Sequence, residues 1–185
     1  MLLRDRGYAT LMTREPGGSD LGRRFREMLL DSKYGSVDAN TETLLFMADR
    51  SRHVDEIIRP ALEEGKIVLC DRYIDSTIAY QGGGRGLPKD ELAALNDFAI
   101  NGVYPDMTLF LSISVEQAQR RLSGDRDRME QENIEFFRRV ADSYAKLAEI
   151  YPQRIRTVDA SLDIEGVFAQ IKELVNGLLH RRGLA

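Results

Sequence analysis

Two short runs constrain this chain more than anything else in it. Lys66-Ile67-Val68-Leu69-Cys70 and Met107-Thr108-Leu109-Phe110-Leu111-Ser112-Ile113 are apolar at consecutive rather than alternate positions. A strand of that kind needs cover on both faces, which is the situation of a parallel strand packed between helices. Two weaker strand signals, Tyr8 to Thr13 and Ile155 to Val158, flank them. The intervening segments carry helical spacing. Leu21, Phe25, Met28 and Leu29 share a face over Leu21 to Leu30. A longer helix is predicted from Thr41 to Ile58, broken or bent at Pro60. Others are predicted over Asp75 to Tyr80, from Leu87-Pro88 through Ile100, over Val115 to Leu122, over Asn133 to Tyr151 and over Asp163 to His180. Met1 to Arg6 reads as the end of a helix stopped by Gly7.

Strands alternating with helices predict a three-layer α/β fold with a mostly parallel sheet. Ligands then bind outside the carboxyl ends of the strands. That rule selects three segments: Arg14-Glu15-Pro16-Gly17-Gly18, Asp71-Arg72-Tyr73 and Asp159-Ala160-Ser161. The length, 185 residues, fits one domain. No apolar run is long enough to span a membrane, and the first residues lack a signal-peptide pattern. One cysteine and two distant histidines offer neither an internal disulfide nor a zinc cluster. These features predict a cytoplasmic protein. The net charge of −4 argues against nucleic acid or an anionic membrane as partner.

Four segments have the residue types for chemistry, and each also has a structural reading. Asp71, at the tip of an apolar strand, suits a Mg²⁺ shell, and the Arg72 fork suits a phosphate. A structural Asp-Arg pair is the alternative. Tyr80-Gln81-Gly82-Gly83-Gly84-Arg85-Gly86 lacks the Lys-Ser/Thr ending of a Walker A loop, so it reads as a loop with unusual backbone angles. Phe46 and Arg50 lie four apart on one helix face, an arrangement for stacking on a base and donating to its edge, or for a core ring beside a solvated arginine. Arg120 to Arg128 holds four arginines in nine residues, a solvated loop or a phosphoryl-transfer lid.

In order along the chain, Thr13-Arg14-Glu15-Pro16-Gly17-Gly18, Phe46-Met47-Ala48-Asp49-Arg50, Cys70-Asp71-Arg72-Tyr73, Tyr80-Gln81-Gly82-Gly83-Gly84-Arg85-Gly86, Pro105-Asp106-Met107-Thr108-Leu109 and Asp127-Arg128-Met129-Glu130-Gln131-Glu132 resemble bacterial thymidylate kinase. The resemblance implies transfer of the ATP γ-phosphoryl group to dTMP with Mg²⁺, in a cytoplasmic homodimer paired through helices such as Thr41 to Ile58. It implies that Phe46 stacks on thymine and Arg50 donates to its carbonyl edge. Thr77 and Gln81 face the base, Tyr80 meets the sugar, and Glu15 and Pro16 shape the monophosphate side. Arg72 grips the dTMP phosphate and Asp71 positions Mg²⁺, through water. Arg126 and Arg128 are lid arginines within a segment 120–132, and Arg121, Ala160 and Ser161 belong to the ATP side. Glu42, Tyr73 and Ser76 support these groups from behind. The alternatives are a non-catalytic dTMP-binding or dimerising relic, and a different deoxynucleotide or deoxynucleoside kinase.

The family also implies an opening strand, a Walker A loop and a helix. No G-x-x-x-x-G-K-[ST] occurs in the 185 residues. The expectation is therefore a single domain over 1–185 that lacks the central first strand and the phosphate cradle, as a downstream start or a fragment would. Its neighbouring strands would then border an empty slot. Such a chain is expected to fold with difficulty and to have little or no kinase activity.

Overall fold

The computed structural model describes residues 2–121 and 127–184. Its strands are β1 (Thr10–Arg14), β2 (Ile67–Asp71), β3 (Thr108–Ser112) and β4 (Ile155–Asp159). The longer helices are α1 (Asp20–Leu30), α2 (Ala39–His53), α5 (Lys89–Ile100), α7 (Ile134–Ile150) and α8 (Ile164–Arg181). Shorter helices are α3 (Arg59–Glu63), α4 (Ile74–Thr77) and α6 (Val115–Arg121). β1 pairs with β2 in parallel from Thr10↔Ile67 to Arg14↔Asp71. β3 pairs with β4 in parallel from Thr108↔Ile155 to Ser112↔Asp159. The fold is α/β with parallel strands, as the sequence predicts.

The strands are less buried than their sequences predict. Among the described residues the ladders form two separate two-stranded sheets. Each strand has a single paired neighbour, so side chains that an interior position would cover stay accessible. Met12 is 56% exposed, Leu69 40% and Leu111 50%. The opposite holds for the helical layer, where Leu29, Ala79, Ile100 and Phe136 are buried.

Two helices differ from expectation for local reasons. Asp38 caps α2 by accepting the amides of Asn40 and Thr41, which starts the helix before Thr41. After His53 the backbone loosens into a π-helical turn over Val54–Ile58 and continues into α3. Pro60 does not break this path, because it sits in the first turn of α3 where a missing amide is harmless. The second difference is the glycine-rich segment. It is no loop: Ile78–Gly84 is π-helical and extends α4. Its glycines serve close packing. A Cβ on Gly83 would lie 2.6 Å from Ser143 Cβ, and one on Gly84 would lie 2.5 Å from the Phe136 ring. That approach lets α7 seat on the segment, with Ala79, Met129, Phe136 and Val140 as the shared core. It also fixes which way Thr77, Tyr80 and Gln81 point.

Candidate active site

A cavity of about 220 Å³ opens at the carboxyl ends of β1 and β2, where Arg14 and Asp71 emerge. Phe46 and Arg50 reach it from α2, and Thr77, Tyr80 and Gln81 from the α4 extension. Glu15, Pro16 and Arg72 complete the wall. Every base-side and monophosphate-side residue expected from the sequence thus lines one space. Arg14, Arg26 and Met129 line it as well.

Its floor is a buried polar network centred on Arg50. The guanidinium is 2% exposed. Nε donates to Glu15 Oε2 at 2.8 Å and Nη1 donates to Thr77 Oγ1 at 2.7 Å and to Asn96 Oδ1. Nη2 has no protein partner among the described residues. The other Glu15 oxygen meets His53 Nδ1 at 3.0 Å, and His53 Nε2 lies 2.7 Å from Thr13 Oγ1. Opposite charges with satisfied hydrogen bonds are the condition under which a buried ion pair persists. The loop before α1 is held by the same helix: Asp49 Oδ1 accepts the Gly17 amide at 3.0 Å. Asp49 Oδ2 is buried without a partner. Burial pushes its carboxyl up from 3.8 to about 6, against the Gly17 hydrogen bond.

The phosphate end is more open. Asp71 and Arg72 are both exposed. The Asp71 carboxylate has no hydrogen bond among the described residues, so its oxygens are available to the water shell of a Mg²⁺ ion. Arg72 adopts φ +66°, and its guanidinium stands 4.6 Å over the Tyr80 ring. A non-glycine residue in this region carries a strain of about 1–3 kcal/mol, a feature that clusters at ligand-binding sites. The consequence is an arginine aimed across the cavity.

A second buried hub lies beside the first. Glu42 is fully buried and accepts from Gln81 Nε2 at 2.9 Å, from Arg85 Nη2 at 3.0 Å and from Arg128 Nη2 at 2.7 Å. Burial raises its carboxyl pKa, but these donors outweigh that and hold it below the usual range. Arg128 Nε also donates to the Leu29 carbonyl at 2.7 Å. Its guanidinium therefore anchors the turn around Arg128 to α1 and α2. It is not among the residues lining the cavity, although Asp127 and Met129 on either side of it are. Arg126 lies outside the described residues. On the far side, Arg121 Nη1 donates to the Ala160 carbonyl at 2.8 Å, so Arg121, Ala160 and Ser161 do converge, apart from the cavity.

Sequence reasoning missed Asp49, His53 and Asn96. The first two left a signal in the glycines. A Cβ on Gly18 would lie 2.3 Å from His53 Nε2, and one on Gly22 would lie 2.4 Å from Asp49 Oδ1. Asn96 comes from α5, far along the chain, and nothing local marks it. Glu15, His53 and Cys70 bring three metal-ligand atoms within 4.8 Å of one another. Their chemistry opposes a metal: Glu15 is shared by Arg50 and His53, and burial raises the Cys70 thiol well above its ordinary range.

Comparison with known proteins identifies the family. Residues 1–171 match the family described as "Thymidylate kinase". The thymidylate kinase of Desulfovibrio desulfuricans is 45% identical over 98% of this chain and 88% of its own length. That of Lactobacillus helveticus is 48% identical over 87% of this chain and 78% of its own. The crystal structure of thymidylate kinase from Ehrlichia chaffeensis superposes with a TM-score of 0.75 at 34% identity, over 90% of this chain and 80% of that one. On both sequence and fold, the chain belongs to the thymidylate kinase family.

Proposed function

We propose that this protein is a phosphotransferase acting on dTMP, with ATP as donor and dTDP and ADP as products. The observation that carries the reading is the single cavity shared by Phe46, Arg50, Arg72, Thr77 and Tyr80. A pyrimidine stacks on Phe46, and Arg50 Nη2 donates to a carbonyl on its edge. Tyr80 closes on the sugar. Arg72 holds the monophosphate at the tip of β2. An oxygen of that phosphate attacks the γ-phosphorus of ATP, and the bond to the bridging β–γ oxygen breaks as ADP leaves. Catalysis is positioning and charge neutralisation, with no covalent enzyme intermediate. A Mg²⁺ ion would neutralise the transferring oxygens, and Asp71 would hold its water shell. Arg121, Ala160 and Ser161 would flank the donor base, and Arg126 would close over the phosphates as part of a lid over 120–132. Arg128 would secure the base of that lid through Glu42.

Two further statements belong to the same reading. The 185 residues contain no Walker A loop, so this chain by itself should turn over slowly. The reading includes a cytoplasmic homodimer, and a separate apolar groove between α1, α2 and α5, bordered by Leu21, Phe25, Leu44, Met47 and Phe98, supports the pairing. No helix among the described residues is long and apolar enough to cross a membrane.

A nucleotide panel at high protein concentration tests the reading, following ADP and the nucleoside diphosphate together. The expected result is slow turnover, greatest with dTMP and lower with dUMP, dCMP and thymidine. A preference for another acceptor would overturn the substrate. Fast dTMP turnover would overturn the claim that this chain is deficient on the donor side.

A further inference from the structure

We infer that His53, which touches none of the cavity, is a positioning residue that sets the aim of Arg50 and so the selectivity for a carbonyl-bearing pyrimidine. The inference rests on the dTMP reading above. His53 is fully buried, and it is the middle of a chain of hydrogen bonds rather than a packing residue. Facing a carboxylate, Nδ1 is the proton donor, so Nε2 accepts from the Thr13 hydroxyl. The line of contacts then runs from Thr13 on β1 through His53 and Glu15 to Arg50 Nε.

The geometry gives each link a task. Glu15 has two oxygens and two partners. Arg50 takes one and His53 takes the other. Without the histidine proton, a buried carboxylate is left short of one donor and is free to rotate toward other donors. Arg50 Nε follows it, because that bond sets the plane of the guanidinium. The Nη1 contacts to Thr77 and Asn96 fix only one corner of the fork. The remaining nitrogen, Nη2, is the one left for a ligand, and its direction depends on that plane. Gly18 leaves no room for a Cβ beside the ring, so the loop is shaped around His53.

Paired substitutions separate positioning from packing. In His53→Asn the amide nitrogen falls near Nδ1 and keeps the donor to Glu15. In His53→Gln it falls near Nε2 and withdraws that donor. Titrations with dTMP and dCMP are compared, since cytosine has an amine at C4 where thymine has a carbonyl, while both keep the C2 carbonyl. His53→Gln should weaken dTMP about tenfold, the loss of roughly one buried hydrogen bond, and dCMP far less, so the preference narrows. His53→Asn should stay within about threefold of the parent and keep the preference. Thr13→Val, which frees Nε2, should move the same ratio in the same direction by less, and serves if His53→Gln does not fold. Equal effects of Asn and Gln, or equal weakening of dTMP and dCMP, would overturn the positioning role while leaving the dTMP reading intact. A parent chain that does not prefer dTMP would overturn both.

Discussion

The cavity floor and the paired strands differ in how fully their side chains are buried and partnered. On the base side, Arg50, Glu15, His53, Thr77 and Asn96 are buried and mutually hydrogen-bonded. On the strand side, two separate strand pairs carry Met12, Leu69 and Leu111 at exposures of 40% or more, and Ile164 at the start of α8 is 88% exposed. The difference teaches where affinity is stored. A network whose partners are already in place spends little on ordering when a ligand arrives. Apolar strand residues in contact with water contribute no such preorganisation. The preformed floor is therefore where the proposed dTMP site draws its affinity.

The largest effect should come from breaking the base-side floor. Arg50→Met removes the partner of Glu15 and strips Thr77 and Asn96 of their donor. Leaving a buried charge uncompensated costs about 3–5 kcal/mol. Denaturant unfolding should register a loss of that size, whereas Leu111→Ser on the open side should fall within about 1 kcal/mol. Comparable losses at the two sites would erase the contrast.

A smaller effect is expected at the phosphate end. Arg72→Ala should leave the floor intact and weaken dTMP about 10- to 100-fold, as one charge-assisted contact is lost. Thymidine, which has no phosphate, should bind the variant and the parent alike. Folding stability should hold, because alanine keeps the Cβ and with it the backbone strain at φ +66°.

A last effect, visible only as pH changes, sharpens the boundary between the floor and its supporting loop. Asp49 has its carboxyl pushed up to about 6 by burial. A folded-state value above the unfolded one means that the unfolded chain releases this proton more readily. Stability from this group is therefore full below about pH 4 and falls as pH rises to about 6. Asp49→Asn keeps an acceptor for the Gly17 amide without the charge. Relative to the parent, it should gain up to about 3 kcal/mol between pH 4 and pH 7, most of it by pH 6. A stability difference independent of pH would contradict the assignment.

Legibility in the sequence followed the range over which each feature is decided. Phe46 with Arg50 and Thr77 with Gln81 were readable because helical spacing places side chains four apart on one face. Asp71 and Arg72 were readable from their place at a strand end. The glycine-rich segment was misread as a loop because its glycines answer to Phe136 and Ser143 on α7, some sixty residues away, and not to their own backbone angles. Arg128 was given a lid role by the resemblance alone, and its partner is Glu42, whose burial no local pattern announces. The runs 66–70 and 107–113 read as fully buried because their composition is that of interior strands. Their exposure reflects how many neighbours each has, which composition does not encode.

The most direct measurement is calorimetric titration of the 185-residue chain with dTMP and with ATP in separate experiments. The proposed dTMP site, in 185 residues that hold no Walker A motif, predicts saturable one-to-one binding of dTMP and weak or undetectable binding of ATP. Tight ATP binding with no dTMP binding would reverse the two halves, and with them the account.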